Sequence, residues 1–268
     1  MISIRHNPGE ASIASQPASR MLLTFARILL CIALSALPLS GCVITRHNFE
    51  GDELVGSRIR QDYVVTTSEF SGIVVDGFAV HVEYHWALGY SIFIRIQPSL
   101  YELVSIDNSD GVFTFQATSD FTWYDEEVTT IVISAPSMGS LAGNRHVQFD
   151  TFDCLVADSF DLRATDTFQG EVDLAVNNLR VELTGFYPYL YLTGEADSAE
   201  FILNQGTVYG KGFQTRSCVA YLSDNGNLQI SCSEYLEIRP ESNGIVDLNG
   251  YPFMDIAVNA GVTIYTAD

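Results

Sequence analysis

Apolar and polar residues alternate in short stretches from Arg58 to the C-terminus, which is the pattern of β-strands with one buried side. The segment 90–96 alternates in this way. No stretch of 58–268 shows the 3.6-residue spacing of an amphipathic helix, so the pattern predicts an all-β protein. A typical strand, 78–84, places four large side chains on one face: Phe78, Val80, Val82 and Tyr84.

Short strands recur with a period near 20 residues from Phe160 onward. In most units a glycine follows the strand, at Gly185, Gly206, Gly226, Gly244 and Gly261. A unit of this size cannot bury a hydrophobic face alone, so the repeat predicts stacked coils, about five of them. Successive units begin 19, 20, 20, 17 and 20 residues apart, at Phe160, Leu179, Ala199, Val219, Leu236 and Ile256.

Six stretches resemble the family of putative auto-transporter adhesins with a head GIN domain. Stretch 131–141 resembles the strand, proline and leucine segment that precedes the family's repeats, and Asn225-Gly226 resembles its turns. The resemblance covers residues 63–266 and departs from the family pattern at Thr167-Phe168, where a turn glycine is expected. The matching stretches are 70–77, 90–92, 131–141, 225–226, 243–244 and 250–252.

The resemblance implies a right-handed parallel β-helix behind a β-strand-rich N-terminal part. Coils stacked at about 4.8 Å let inward side chains form a continuous column. The last residues, Thr266-Ala267-Asp268, offer little protection for a terminal strand, so self-association through a helix end is an expected mode of contact. We expect these residues in the column: Leu162, Val181, Leu183, Phe201, Leu203, Tyr221, Ile230, Leu236, Ile238, Val246, Leu248 and Val258.

Residues 1–41 have the features of a lipoprotein leader. A short charged segment from Met21 precedes an apolar segment, 28–39, that is too short for a comfortable membrane span. At its end Leu39-Ser40-Gly41-Cys42 resembles the lipobox of bacterial lipoproteins. This resemblance implies cleavage between Gly41 and Cys42 and a membrane anchor through lipid on Cys42. An ordinary signal peptide or a buried apolar strand is the alternative.

The remaining organisation follows from the leader. Val43 follows the cysteine. By resemblance to the sorting signals of Gram-negative lipoproteins, this residue favours location in the outer membrane. Residues 1–20 are polar and unpatterned, so the signal peptide proper is 21–41, and translation from Met21 rather than Met1 is a further hypothesis. Residues 42–57 lack periodicity and are predicted to be a tether, which leaves 58–268 as the β-helical domain.

Charge excludes one class of partner. The chain has 33 acidic and 13 basic residues, a net charge of −20, and its single lysine is Lys211. Such a chain repels phosphate backbones, so we expect no nucleic-acid partner.

Three cysteines follow Cys42. Cys218 and Cys232 lie in neighbouring units and are candidates for a disulfide if the chain is exported. Cys154 would then be a lone buried thiol. No two cysteines have the spacing of a metal site, and we expect no metal or cofactor.

Aromatic residues are dense in 186–191, and they are the candidate ligand-stacking residues. Alternation places either the tyrosines or Phe186 with Leu190 on the outside, where tyrosines suit sugar stacking or a protein interface. Packing in the core is the alternative. The candidates are Phe186, Tyr187, Tyr189 and Tyr191.

Catalytic patterns are weak. No Gly-x-Ser-x-Gly motif occurs, and His81 is predicted on the outward side of its strand. Two carboxylate pairs have strand spacing, Glu171 with Asp173 and Glu195 with Asp197, but solvated faces explain both equally well. The sequence therefore favours a cell-envelope lipoprotein with an interaction or scaffold domain, adhesive in character, without catalytic activity. A glycan-active enzyme or a carbohydrate-binding module is the alternative.

Overall fold

The computed structural model describes residues 44–47, 52–55, 60–65, 68–118, 122–123, 129–257 and 260–266. The leader, with the predicted cleavage and lipidation residues Gly41 and Cys42, lies outside these residues, as does Val258. The side chains of 44–55 and of Phe78 are likewise outside the description.

The alternating pattern produces strands along the whole described chain, with a single short helix, α1 (Pro98–Tyr101), among the described residues. The prediction of an all-β protein is confirmed. The first nine strands are β1 (Ile44–His47), β2 (Asp52–Val55), β3 (Gln61–Val65), β4 (Gly72–Trp86), β5 (Ser91–Ile96), β6 (Val104–Ser109), β7 (Val112–Ala117), β8 (Thr122–Trp123) and β9 (Thr129–Ala135).

The C-terminal half consists of longer strands that pair in parallel. They form a β-solenoid of about 6 turns, which confirms the predicted fold class. These strands are β10 (Ser140–Thr151), β11 (Leu155–Thr165), β12 (Gln169–Thr184), β13 (Tyr189–Asn204), β14 (Thr207–Ser223), β15 (Gly226–Ile238), β16 (Asn243–Asn249), β17 (Phe253–Ile256) and β18 (Gly261–Thr266).

Each coil has two faces that share one core. In β12, residues 169–176 belong to what we call the first face and 178–184 to the second face, and the strand register skips Asn177 at the corner between them. The same corner recurs at Asp158, Asp197 and Arg216. Because side chains alternate on both sides of the corner, each face has an inner and an outer side.

Parallel stacking begins earlier than the repeat predicted. The strand β4 pairs in parallel with β10 on one side and with β7 and β9 on the other. The β-rich N-terminal part is therefore integrated into the solenoid, and antiparallel strands β5, β3 and β6 extend its end. Within the predicted tether, β1 and β2 form an antiparallel pair.

The core confirms most of the predicted column, and it corrects one of its members and the starts of two units. All of its described members are buried except Tyr221, which is only half-buried, because Ala220 and Leu222 point inward instead. The unit predicted to begin at Val219 begins at Cys218, and a one-residue slip moves every side chain to the other side. The last unit aligns at Met254 rather than Ile256. The equivalent residues are Phe160, Leu179, Ala199, Cys218, Leu236 and Met254.

Turns between coils place several non-glycine residues in the left-handed region, among them Asp166 (φ 60°), Gln205 (φ 59°) and Asn225 (φ 69°). Glycine has a different role at Gly226, where a Cβ atom would lie 2.7 Å from the carbonyl oxygen of Leu203. The repeat glycine at this position therefore permits close approach of successive coils.

Candidate functional site

The outer side of the first face carries one stripe of residues in register across eight strands. Its N-terminal part is acidic and its middle is aromatic, so its chemistry changes along the solenoid. We call these residues the outer stripe: Glu83, Asp150, Glu171, Tyr191, Tyr209, Gln229, Asp247 and Tyr265.

Tyrosines stack in the middle of this stripe. The rings of Tyr191 and Tyr209 lie with centroids 4.7 Å apart and an interplanar angle of 17°. Tyr189 meets Tyr191 edge-on at 5.8 Å. Tyr191 is 50% exposed and Tyr209 37% exposed, so these aromatic surfaces face solvent, whereas Leu190, between Tyr189 and Tyr191, is buried. We call Tyr189, Tyr191 and Tyr209 the aromatic ladder.

Alternation along the strand predicts two members of this ladder, Tyr189 and Tyr191. All four predicted stacking residues point outward, but Phe186 and Tyr187 lie in the turn between β12 and β13, where Tyr187 has a φ of 54°. Their exposures are 70% and 78%. Tyr209 was missed. The signal available was its distance of 18 residues from Tyr191, which is close to one repeat.

A bulge in β14 forms one wall of the site. Gly210 pairs with Ile230, whereas Gln214 pairs with Ser231, so three residues of β14 have no counterpart in β15. Lys211 lies in this bulge, and its Nζ atom is 2.6 Å from a carboxylate oxygen of Asp247. Beside the ladder the bulge encloses a shallow cavity of about 400 Å³.

A larger groove, which we call the coil groove, runs from the bulge to the corner of the coils. Its volume is about 900 Å³. Small or apolar side chains from successive coils occupy equivalent positions along it: Ala157, Val176, Ala196, Thr215 and Cys232.

Polar residues surround the coil groove. Gln214 and Asn249 lie along it, and Asn249 Nδ2 donates to Ser231 Oγ at 3.1 Å. Arg216 lies 3.1 Å from Glu234 and 3.6 Å from Asp197. Because Arg216 and Lys211 both have carboxylate partners, the two cations of the groove are balanced by nearby anions.

A histidine–carboxylate cluster lies at the acidic end of the stripe. His81 points outward, as predicted, and its Nε2 atom is 2.9 Å from Asp150 Oδ2. Burial opposes ionisation of Asp150, but hydrogen bonds from His81, Gln148 and the Glu171 amide outweigh it and lower the pKa of this carboxyl. Across the described chain, no group of three or more His, Cys, Asp and Glu side chains is arranged to hold a metal ion.

Of the carboxylate pairs predicted from strand spacing, Glu171 and Asp173 lie on this first face, whereas Glu195 lies on it and Asp197 lies at the corner. Thr193 Oγ1 donates to Asp173 at 3.0 Å, and Asp197 faces Arg216. Both residues therefore have structural partners.

The cysteines lie in two environments, and the disulfide between Cys218 and Cys232 stays a prediction. Cys218 and Cys232 are buried in adjacent coils, as free thiols. Burial raises the pKa of the Cys218 thiol well above its ordinary value, and Cys232 Sγ donates to the Tyr235 carbonyl at 3.1 Å. The expectation that Cys154 is buried is wrong: its side chain is exposed, because it follows the end of β10 outside the core.

The outer side of the second face has another chemistry. Arg180 contacts Glu200 at 2.7 Å and Glu182 at 2.8 Å. Glu200 also forms an ion pair with Arg239 at 2.8 Å, and Arg163 forms one with Asp161 at 2.7 Å. This face thus carries an ion-pair network that spans several coils.

Among the described residues, no helix has the length and apolar character needed to cross a membrane.

Comparison with known proteins gives a family and a fold. The family model described as "Putative auto-transporter adhesin, head GIN domain" matches residues 69–252. No functionally curated protein matches the chain.

Three solved structures resemble the solenoid. A putative adhesin from Bacteroides fragilis has a TM-score of 0.69 at 16% identity, covering 79% of this chain and 98% of that one. A putative lipid binding protein from Parabacteroides distasonis has a TM-score of 0.64 at 13% identity, covering 81% and 100%. A putative adhesin from Parabacteroides merdae has a TM-score of 0.56 at 16% identity, covering 81% and 99%. At these identities the likeness concerns the fold.

Proposed function

This chain belongs to the family of putative auto-transporter adhesins with a head GIN domain, and we propose that it is an adhesin-like binding module of the cell envelope that takes a glycan on its first face. The observation that carries the proposal is the aromatic ladder. It presents stacked, half-exposed tyrosine rings on a rigid sheet, so little side-chain entropy is lost when a ligand is bound.

A sugar ring is the ligand that suits this surface best. Its C–H face is apolar and packs on an aromatic ring, while its hydroxyl groups need polar partners at the rim. Gln229 and Thr193 lie beside the ladder, and Gln214 and Asn249 line the neighbouring coil groove. Polar side chains thus lie next to the aromatic ladder along a path that an extended glycan chain would follow.

Charge narrows the class of glycan. The net charge of −20 repels anionic polymers, and the cations Lys211 and Arg216 already have carboxylate partners. We therefore propose an uncharged glycan rather than one rich in uronic or sialic acid.

Attachment is through lipid on Cys42, with cleavage after Gly41 and the outer membrane of a Gram-negative bacterium as the location. Metabolic labelling with a palmitate analogue should label the chain and should fail with Cys42→Ser. Labelling that persists in the variant would contradict lipidation at Cys42.

The proposed role is binding without turnover. Fold alone does not imply catalysis, and one member of each predicted carboxylate pair, Asp173 and Asp197, has a structural partner. Incubation with glycans that bind should leave their length distribution unchanged in mass spectrometry. Shortened products would favour the alternative, a glycan-active enzyme.

A glycan array tests the proposal directly. We expect saturable binding to uncharged glycans, weakened roughly tenfold or more by Tyr191→Ala or Tyr209→Ala. Tyr221→Ala is the matched control because this tyrosine points outward on the second face. Equal loss in all three variants, or binding unaffected by the ladder variants, would contradict the proposed site.

A second candidate ligand is an amphiphile in the coil groove. The groove combines apolar positions such as Val176 and Ala196 with Lys211, and one structural neighbour is described as a putative lipid binding protein. Ala175→Trp, at a half-buried position that lines the groove, should fill the groove without touching the ladder. If this variant abolishes fatty-acid binding and the native chain binds no glycan, the proposed ligand is a lipid and not a glycan.

A further inference from the structure

The two ends of the solenoid differ in how their terminal strands are covered. At the N-terminal end the antiparallel strands β3 and β5 extend the first face, and α1 places Leu100 in the core. Tyr101 of α1 stacks on Tyr63 of β3 at 3.8 Å, and Asp62 on the edge strand pairs with Arg95 at 2.9 Å. Charges and irregular cover of this kind protect sheet ends from pairing with other chains.

The C-terminal end shows no such protection among the described residues. Strand β18 pairs with β16 alone and β17 with β15 alone, so each leaves one edge of its backbone without a strand neighbour. Met254 and Ile256 continue the columns of the buried Leu236 and Ile238, yet each is 43% exposed. At the last coil, therefore, apolar side chains that continue the core are exposed to solvent.

Charge makes this end unlike the rest of the surface. Residues 250–268 contain only two charged side chains, Asp255 and Asp268, in a chain whose net charge is −20. The Tyr235 hydroxyl donates to Asp255 at 3.3 Å, on the outer side of the second face. Two copies of so acidic a chain would repel each other over most of their surfaces, and they can approach most closely through this end.

We propose that the C-terminal coil docks end-to-end against the C-terminal coil of a second copy. A two-fold axis perpendicular to the first face brings β18, the outermost strand, antiparallel to its own counterpart. The free edge of β18 is then paired, and the apolar side chains of Met254 and Ile256 face their counterparts in the partner. Because the other end is protected, association stops at two copies instead of growing into a fibre.

This arrangement has a consequence for ligand binding. The same axis keeps the two first faces on one side of the pair, so the two outer stripes join at Tyr265, which is 57% exposed. A glycan polymer could then contact both aromatic ladders, and two linked sites bind more tightly than one. This consequence rests on the proposed function, whereas the docking itself does not.

Sedimentation velocity over a range of concentrations tests the docking. The sample is the compact unit Gly41–Asp268 with Cys42→Ser, so that no lipid causes association. We expect a reversible dimer whose dissociation constant rises roughly tenfold or more in Met254→Lys. Ile256→Lys is the second variant, and both positions are exposed enough to accept lysine without unfolding, which a thermal melt checks.

Val64→Lys is the matched control, because Val64 is 74% exposed on the edge strand β3 at the protected end. It should leave the dimer unchanged. A monomer at all concentrations would overturn the proposal, and so would a dimer that Val64→Lys disrupts while Met254→Lys does not. Glycan binding by the monomeric Met254→Lys variant separates this outcome from failure of the proposed function.

Discussion

On the second face of the solenoid Arg180 is held between Glu182 and Glu200, while on the first face of neighbouring coils Tyr191 stacks on Tyr209. The two faces come from the same repeats and share one apolar interior. Their inner sides are therefore under the same constraint, which is to fill the core. Their outer sides are not constrained in this way. The outer side of the second face carries ion pairs, whereas that of the first face exposes aromatic rings and amides. A stacked fold thus separates stability from recognition, because a single side of a strand can change without altering the coil.

Removing a shared core residue should disturb both faces most. Phe201 is fully buried between them, and Phe201→Ala is expected to cost about 3–5 kcal/mol of unfolding free energy because a cavity remains. Urea denaturation followed by circular dichroism measures this. The outward-facing variant Tyr191→Ala serves as control and should cost much less. A similar loss in both would mean that the ladder is part of the folding core.

Disrupting the ionic surface should have a smaller effect. Arg180→Met leaves Glu182 and Glu200 close together without their cation, and we expect a loss of about 1 kcal/mol, since the arginine is partly exposed. The loss should shrink in high salt, where such charges are screened. Arg163→Met, which removes a more exposed arginine, is the control. A salt-independent loss would indicate packing rather than charge.

The acidic end of the outer stripe should show its contribution through pH. The hydrogen bonds that lower the pKa of Asp150 stabilise the folded state only while the carboxyl is ionised. This stabilisation is complete above the unfolded pKa, near the ordinary 3.8, and is lost as the pH falls through the lower folded pKa.

Asp150→Asn should therefore be less stable than the native chain by about 1 kcal/mol at neutral pH. The difference should fade as the pH falls below 4. Chemical denaturation at several pH values measures it, with Asp107→Asn on the edge strand β6 as control. A difference that grows in acid would contradict the assignment.

The sequence was sufficient for the fold class, because alternation and a period near 20 residues are direct consequences of stacking strands. It was insufficient for the register. The spacing between equivalent residues varies, and the slip from Cys218 to Val219 placed Tyr221 in the core when it lies outside. Periodicity cannot reveal such slips, since bulges change the count locally, as between Gly210 and Gln214.

The candidate site was predicted in part for the same reason. Tyr189 and Tyr191 follow from alternation within one strand, which is local. Their partner Tyr209 belongs to the next coil, and its position opposite Tyr191 depends on the register of the whole pair of strands. The coil groove depends further on the bulge at Lys211, for which the sequence offers no periodic signal.

The most direct test of the division between the faces is a hydroxyl-radical footprint of the chain with and without a glycan that binds on the array. We predict that ligand protects Tyr191 and Tyr209 from oxidation, while Tyr221 on the second face is oxidised at the same rate in both samples. Protection of Tyr221 with an unprotected ladder would place the ligand on the ionic face and contradict the account.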